Sequence, residues 1–364
     1  MHFVLERSEF AAAVARVFTA DAGRTIPGGN LLRITTRKGS VELAAVGVDG
    51  GAVTIVEVET QAESVFCVPG RRLQDALERM PNTKLSCSLH DRVLRLSAGK
   101  LKLEIGGPDV GDFPRLPRMP DSEVSIPFDV LRRLLRRTAY AAHGDFEHPA
   151  LAGVNILREG SRLRAIATDR QRIARAYESC SDCELGELFI NIRSVHRILG
   201  VNLGRADRVV VAEDDRHLFF GFTGTTLFAS KLETSFPGAE KAIPQVLDHR
   251  ARVGKQELLE ALDLAILVDS WRADDDVAIR LEIGASRISV SARDGEQGMV
   301  VAPLKAYTQG SRAEIVLSGE HLKQALRVLE TNDVEIGLAV QDGTRAVVRS
   351  PESDDCLAML VGRA

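Results

Sequence analysis

The chain has 364 residues, of which 45% are apolar and 27% are charged, ordinary values for a folded globular protein. Its 47 basic and 51 acidic residues give a formal net charge of -4, which excludes a protein whose whole surface coats nucleic acid or an anionic membrane. Charges appear as early as Glu6 and Arg7, and no apolar run approaches the ~20 residues of a membrane span. We therefore expect a cytoplasmic protein without a signal peptide.

Two kinds of segment alternate along the chain, and their hydrophobic periods distinguish them. Period-two runs broken by turn residues predict β-hairpins over 31–48, 85–105, 154–167, 209–232, 277–292 and 334–348. Stretches of helical period predict α-helices over 8–18, 70–80, 128–142, 192–203, 254–268 and 318–329. This mixture predicts an α+β fold with antiparallel sheets.

The helical stretches recur at a regular spacing. In each successive pair the second helix follows the first by roughly 63 residues, and the pairs recur at roughly 120 to 127 residues. We therefore predict three tandem copies of one domain, each with two helices and two small antiparallel sheets. Proline-rich segments at 113–120 and 236–244 separate the copies, which gives domains at 1–121, 122–246 and 247–364.

Basic residues concentrate on the predicted helices. Four arginines of the third helix are spaced to lie on one side, opposite an apolar side, and they are Arg132, Arg133, Arg136 and Arg137. For a single helix, that pattern is more typical of a solvated helix surface. The six helical stretches together carry a charge near +5, however, which leaves about -9 for the rest of the chain. Segregated positive charge on an acidic protein favours weak, salt-dependent contact with the phosphates of duplex DNA, without recognition of base sequence.

The sequence contains no phosphate-binding loop, dinucleotide-binding glycine motif or zinc-protease helix. We therefore predict a binding protein that is not an enzyme and that uses no cofactor or metal. An enzyme with an interdomain site built on Cys183, His143 or Asp169 is the alternative from a different class. The five scattered cysteines are expected to be reduced thiols, and the Cys180-x-x-Cys183 pair is interpreted as structurally neutral.

Four groups of short motifs occur in order along the chain. They are Asn30-Leu31-Leu32 after Gly23-Arg24-Thr25-Ile26-Pro27, then Asp112-Phe113-Pro114, then Ala167-Thr168-Asp169-Arg170-Gln171-Arg172-Ile173-Ala174 after a hairpin, and Phe228-Ala229-Ser230-Lys231-Leu232 before Phe236-Pro237. Their order and spacing resemble those of the bacterial DNA polymerase III beta subunit family, the sliding clamps. The resemblance extends over the whole chain.

The resemblance implies three tandem DNA-clamp domains that form half of a closed ring, which a second copy of the chain completes head to tail. Such a ring encircles double-stranded DNA topologically, without sequence preference, and acts as a processivity factor. The implied partners are the DNA polymerase III alpha subunit, the clamp loader, and other DNA polymerases and repair proteins with clamp-binding peptides. No membrane partner is implied.

The resemblance also implies three sets of site residues. Those implied to face the DNA are Arg24, Arg71, Arg132, Arg136, Arg193, Arg197 and Lys323. A hydrophobic groove between the second and third domains is implied to accept partner peptides, and its residues are Leu151, Thr168, Arg170, Gln171, Arg172, Ile173, Pro237, Lys241, Ala242, Ser318, His321, Met359, Leu360 and Val361. The implied dimer interface places Leu103 and Ile105 of an edge strand in one subunit against Ile266 and Leu267 of a helix end in the other.

The groove departs from the usual family pattern at three places. The family usually has Gly-His at the positions of Arg170-Gln171, an aromatic residue at His321, and Met-Pro-Met or Met-Pro-Val at the Met359-Leu360-Val361 segment. An arginine in place of the glycine would partly fill the groove or change its charge. These departures leave open a specialised clamp paralogue with a private partner.

Overall fold

The computed structural model describes residues 2–18, 30–60, 63–122, 124–144, 147–202, 207–269, 277–294, 298–339 and 344–363. The chain divides into two compact units. Unit 1 comprises Met1–Asp129, Cys183–Leu185 and Arg193–Lys231, and unit 2 comprises Val130–Asp182, Gly186–Ile192 and Leu232–Ala364. Within the described ranges, no helix combines the length and the apolar character that crossing a membrane requires.

The described residues contain α-helices at all six stretches with helical period. They are α1 (Arg7–Val17), α2 (Gly70–Arg79), α3 (Phe128–Thr138), α4 (Ile192–Gly200), α5 (Lys255–Asp269) and α6 (Gly319–Arg327). The third helix is shorter than predicted, since the chain continues after Thr138 as a 3-10 turn over Ala139–Ala141.

The strands fall between the helices in chain order. The first thirteen are β1 (His2–Glu6), β2 (Leu31–Arg37), β3 (Ser40–Gly47), β4 (Gly50–Glu57), β5 (Ser64–Pro69), β6 (Lys84–His90), β7 (Val93–Ala98), β8 (Leu101–Gly106), β9 (Ser125–Pro127), β10 (Gly153–Glu159), β11 (Arg162–Thr168), β12 (Arg172–Ser179) and β13 (Leu188–Asn191). The others are β14 (Arg208–Glu213), β15 (His217–Phe222), β16 (Thr225–Ser230), β17 (His249–Gly254), β18 (Ala278–Gly284), β19 (Arg287–Asp294), β20 (Gly298–Lys305), β21 (Tyr307–Gln309), β22 (Ala313–Ser318), β23 (Asp333–Ala339), β24 (Arg345–Arg349) and β25 (Cys356–Val361). They include all six predicted hairpins, although residues 340–343 of the last one lie outside the described residues.

Unit 1 contains a four-stranded sheet in the order β1-β6-β7-β8 and an eight-stranded sheet in the order β5-β2-β3-β4-β16-β15-β14-β9. The larger sheet is continuous because β4 pairs with β16, with Ala52 opposite Leu227. Glycine at positions 50 and 51 permits this pairing, since a side-chain carbon at either one would collide with Phe228. Two hairpin systems that are distant in the sequence thereby share one sheet.

Unit 2 contains a nine-stranded sheet in the order β13-β10-β11-β12-β25-β24-β23-β17-β21 and a four-stranded sheet in the order β20-β19-β18-β22. Here β12 pairs with β25, with Ile173 opposite Met359. This pairing brings the last described strand of the chain beside a strand of its middle third.

The helices bury one face and expose the other. In α2, Leu73 and Leu77 are fully buried while Arg71 and Arg72 are exposed, as their spacing predicts. In α6, Leu322 and Leu326 are buried in the same way. Fully burying one such leucine side chain stabilises the fold by roughly 1.5–3 kcal/mol. The buried faces therefore fix which charged residues each helix presents to solvent.

The expectation of five reduced cysteines is wrong for two of them. Cys180 and Cys183 are disulfide-bonded, whereas Cys67, Cys87 and Cys356 are free. Burial raises the pKa of the Cys87 thiol to about 12, so this thiol stays protonated and unreactive at neutral pH.

Candidate peptide groove, basic helices and edge strands

A tight turn joins β11 to β12 in unit 2. The Asp169 carboxylate accepts hydrogen bonds from the backbone N–H groups of Gln171 and Arg172, each at 2.9 Å. It also accepts from Arg172 Nε at 2.8 Å, so its charge is paired. The Thr168 hydroxyl donates to the Arg172 carbonyl at 2.7 Å. These bonds hold the backbone at Arg170 in one conformation. They also engage both oxygens of the Asp169 carboxylate, a group on which the alternative enzyme site would depend.

Arg170 has an unusual backbone conformation. Its φ angle is 76°, in the left-handed region that glycine occupies without strain. For a residue with a side chain this conformation costs roughly 1 kcal/mol. This geometry explains why glycine suits this position. An arginine here lowers the stability of the folded chain by that conformational energy.

The same turn contacts three other elements of the predicted groove. Arg170 Nη2 lies 3.4 Å from His148 Nδ1, and the His148 carbonyl accepts from the backbone N–H of buried Leu151. Arg172 Nη1 donates to Gln324 Oε1 on α6 at 2.5 Å. The Gln171 carbonyl accepts from the backbone N–H of Val361 at the end of β25, at 2.9 Å.

A short linker segment, Ala239–Ala242, packs over this part of unit 2 as a 3-10 turn. Glu240 on the turn forms ion pairs with Arg164 on β11 and, at 3.0 Å, with Arg175 on β12. The Ala242 carbonyl accepts from Arg345 Nη1 at 2.9 Å. The linker is therefore fixed to the nine-stranded sheet through its polar groups. Pro237, just before the turn, and Lys241, within it, remain exposed.

An apolar cluster lies between the linker and the sheet. Its buried members are Ile166, Ile173, Ile243, Val347, Leu357 and Met359, with Phe236, Ala239, Ala242 and Leu247 packed against them. Leu360 is the exception among the predicted groove residues, because it packs into the separate core beneath α5 and α6. Adjacent residues of a strand point to opposite faces, so Met359 and Leu360 cannot line the same surface.

Ser318 and His321 lie at the start of α6. The buried Ser318 hydroxyl accepts from the backbone N–H of His321 at 3.1 Å and caps the helix. Burial lowers the pKa of the His321 imidazole below its ordinary 6.5, and the nearby charge of Arg172 acts in the same direction. His321 is therefore neutral at pH 7 and adds no charge to this surface.

The four arginines of α3 divide into two pairs. Glu178 lies 3.0 Å from Arg133 and 2.6 Å from Arg137, and Arg137 also pairs with Glu330 at 3.1 Å. Arg136 is exposed and has no ion-pair partner among the described residues, and Arg132 is half-buried. The sequence pattern placed all four on one basic side, whereas the fold pairs Arg133 and Arg137 with carboxylates.

The other residues implied to face DNA differ in their surroundings. Arg71 is exposed and pairs with Asp75 one helical turn away at 3.3 Å, and Arg193 pairs with Asp49. Lys323 is mostly buried and lies 2.5 Å from Asp263. Arg197 on α4 is half-buried. Arg24 lies outside the described residues.

Among the described strands, β8 is an edge of the four-stranded sheet in unit 1 and pairs on one side only. Leu101 and Leu103 are 56% and 37% exposed, whereas Ile105 is only 6% exposed. A cavity of about 550 Å³ lies between this strand and α2, with Arg72 and Met80 among its lining residues. Of the two interface residues implied on this strand, Leu103 is available for contact and Ile105 belongs to the core.

A second exposed apolar surface lies on unit 2. On α5, Leu264 and Leu267 are 55% and 60% exposed, while Ile266 is half-buried and would touch any side chain placed at Gly319. Strand β20 is an edge strand that pairs with β19 alone among the described strands, and its Met299 and Val301 are exposed. The sequence analysis did not identify Leu264 or β20, although the i, i+3 spacing of Leu264 and Leu267 was a usable signal.

Two family models match adjacent parts of the chain. They are the DNA polymerase III beta subunit, central domain, over residues 125–238, and the DNA polymerase III beta subunit, C-terminal domain, over residues 240–361. The chain is 23% identical over 375 residues to the beta sliding clamp of Bacillus subtilis, covering 99% of this chain and 98% of that protein. It is 22% identical over 366 residues to the beta sliding clamp homolog GriR of Streptomyces muensis, covering 98% and 96%.

Solved structures have the same fold. The DNA polymerase III beta subunit of Thermotoga maritima matches with a TM-score of 0.91 and 18% identity, over 100% of this chain and 99% of that one. A sliding clamp of Pseudomonas aeruginosa bound to griselimycin matches with a TM-score of 0.89 and 21% identity, over 100% and 99%.

The fold is therefore that of a DNA clamp, which confirms the predicted α+β class with tandem clamp domains. The two family models together span more than half of the residues. The chain belongs to the DNA polymerase III beta subunit family, the DNA sliding clamps, which are processivity factors and not enzymes.

Proposed function

We propose that two copies of the chain join head to tail into a closed ring around duplex DNA. The observation that carries this proposal is that one chain has two different exposed apolar surfaces, at Leu101 and Leu103 of β8 and at Leu264 and Leu267 of α5. A head-to-tail contact joins two different surfaces, and two such contacts close a ring of two chains. The contact would also cover the free edges of β8 and β20, which are hazards in a monomer.

Basic side chains inside the ring would contact DNA phosphates. Enclosure provides the persistence on DNA, so these contacts need only be weak and electrostatic. Arg136 is best suited, because it is exposed and unpaired among the described residues. Arg193 and Lys323 would have to exchange Asp49 and Asp263 for phosphates. The remaining members of the proposed set are Arg24, Arg71, Arg132 and Arg197.

The apolar cluster beside the linker supports a groove for partner peptides. Half-buried Ala242, backed by the buried side chains of Ile173 and Met359, would provide the apolar floor, and exposed Arg170 and Lys241 the polar rim. The partners we propose are the DNA polymerase III alpha subunit, the clamp loader, and other polymerases and repair proteins that carry a clamp-binding peptide.

The proposed organisation has domains at 1–121, 122–246 and 247–364, so that a ring of two chains contains six. The proposed place of action is the cytoplasm, where a bacterial chromosome is copied.

The ring proposal is tested with protein loaded onto a nicked circular plasmid by a clamp loader. We expect the protein to co-elute with circular DNA in gel filtration and to be lost when a restriction enzyme cuts the circle. A variant whose two chains are crosslinked to each other at both contacts before loading should not load. This variant controls for simple adsorption to DNA. Retention on the linear product would contradict topological binding.

A clamp paralogue with a private partner is the second candidate, and Arg170-Gln171 in the turn favours it. Binding of the C-terminal peptide of the host's polymerase alpha subunit separates the two candidates. Binding of this peptide supports the general clamp. If the chain forms a ring that slides on DNA but does not bind the peptide, the result supports the paralogue.

A further inference from the structure

The rim of the proposed groove carries positive charge that is not neutralised within the described part of the chain. Arg170 and Lys241 are both exposed, and neither forms an ion pair with a described residue. The polar contact of the Arg170 guanidinium is to His148 Nδ1 at 3.4 Å, an atom without negative charge.

The carboxylates beside these two residues already have partners. Asp169 is paired with Arg172 at 2.8 Å. Glu240, next to Lys241 in the chain, is shared between Arg164 and Arg175. Each of these two carboxylates is thus offset by a guanidinium group. A third carboxylate, Glu320 beside His321, accepts from Gln324 Nε2 at 3.1 Å and forms no ion pair with a described residue, so Arg170 and Lys241 leave the rim with a net positive charge.

The conformation of Arg170 adds an independent observation. The left-handed φ of 76° is strained for an arginine, and the hydrogen bonds of Thr168 and Asp169 hold it there. Strain that is maintained by its surroundings concentrates at functional sites. The turn fixes the backbone that carries the exposed Arg170 side chain, three residues before Ile173 of the apolar cluster, which lowers the backbone part of the entropic cost of binding a carboxylate.

We propose that Arg170, together with Lys241, selects partner peptides that carry an Asp or Glu beside their apolar anchors. The inference rests on the proposed groove and specifies its partner chemistry. An exposed ion pair of this kind changes affinity by about two- to five-fold, and salt weakens it.

The test is selection from a phage library of random decapeptides by the full chain and by three variants. We expect peptides selected by the wild type to be enriched in Asp and Glu, with the enrichment reduced for Arg170→Gln and Lys241→Gln. Arg158→Gln is the matched control, since it removes one exposed positive charge of unit 2 on β10 and should leave the enrichment unchanged.

The leading selected peptide is then compared with its Asp→Asn or Glu→Gln version by fluorescence anisotropy. The wild type should bind the acidic version about two- to five-fold more tightly at low salt, and Arg170→Gln should bind both equally. Equal acidic content for wild type and Arg170→Gln would overturn this inference and leave the groove intact. Failure of the wild type to select any peptide would contradict the groove itself.

Discussion

The Glu240 carboxylate in the linker lies 3.0 Å from the guanidinium of Arg175 on β12. Arg164 on β11 pairs with the same carboxylate, so one side chain ties the linker to two strands. All three side chains are largely buried, and the group also includes Glu159, which lies 2.9 Å from Arg164 Nε, and the Tyr177 hydroxyl, which donates to Glu240 at 3.3 Å. Glu240 is therefore a positioning residue for the wall of the proposed groove.

We predict that Glu240→Gln lowers the free energy of unfolding by about 1–3 kcal/mol, because the largely buried guanidinium of Arg175 loses its charged acceptor and that of Arg164 keeps only Glu159. Urea denaturation measures this change, and affinity for a selected groove peptide should fall in parallel. Glu233→Gln, which changes an exposed glutamate nearby, is the control and should alter neither quantity. Equal stability of the two variants would contradict the assigned role.

The Glu240 ion pairs should also be pH-dependent. Burial raises the pKa of the Glu240 carboxyl, but hydrogen bonds and charge from Arg175 and Arg164 outweigh it, and the pKa lies below its ordinary 4.5. A carboxyl with a depressed folded-state pKa contributes stability above its unfolded value and loses it as pH falls through the folded value. The stability advantage of wild type over Glu240→Gln should be full near pH 7 and shrink below about pH 4.5. Denaturation midpoints for both chains across that range check this, and a constant difference would contradict it.

Replacing Arg170 with glycine should stabilise the chain by about 1 kcal/mol, because glycine adopts the left-handed conformation without strain. Arg170→Ala removes the same charge but keeps the strain, and it should not produce this gain. Thermal melting of the two variants beside the wild type measures the difference. Equal melting temperatures for the glycine and alanine variants would show that the turn is not strained.

Arg136 and Arg133 on α3 form a matched pair. Removing exposed Arg136 by Arg136→Gln should weaken duplex binding about two- to five-fold and reduce the slope of log affinity against log salt by about 0.9. Arg133→Gln should instead lower stability, since Arg133 is paired with Glu178 at 3.0 Å, and leave the salt slope unchanged. Fluorescence anisotropy across a salt series and thermal melting separate the two effects. If Arg133→Gln reduced the salt slope and Arg136→Gln did not, the proposed contact of Arg136 with DNA would be wrong.

Charged substitutions at the two exposed apolar surfaces should produce monomers. Leu103→Asp and Leu267→Asp each put an unpaired carboxylate into the proposed contact, whereas Ile105→Asp would damage the core because Ile105 is buried. Sedimentation velocity measures the change. Ile55→Asp, at an exposed position on a central strand, should remain dimeric. A dimer that persists in both interface variants would contradict the proposed surfaces.

Local signals predicted the positions of the six helices and the six hairpins, because hydrophobic period and turn residues act over a few positions. They did not predict which of the proposed groove residues join the apolar cluster beside the linker. Leu360 was grouped with Met359 from its place in a motif, yet strand alternation sends the two side chains to opposite faces. Leu103 and Ile105 lie two residues apart on the same face of β8, so alternation does not separate them, and only the packing around each one decides that Ile105 is buried and Leu103 is exposed.

The sequence by itself determined the repeated order of helices and strands and the arginine-rich character of α3, since both depend on neighbours in the chain. The tertiary structure decided that Arg133 and Arg137 are neutralised while Arg136 stays exposed, and that Glu240 ties the linker to β11 and β12. The acidic partner Glu330 is 193 residues from Arg137, and Glu240 is 65 residues from Arg175. Charge compensation depends on distance in space, and only folding brings such partners within a few ångströms.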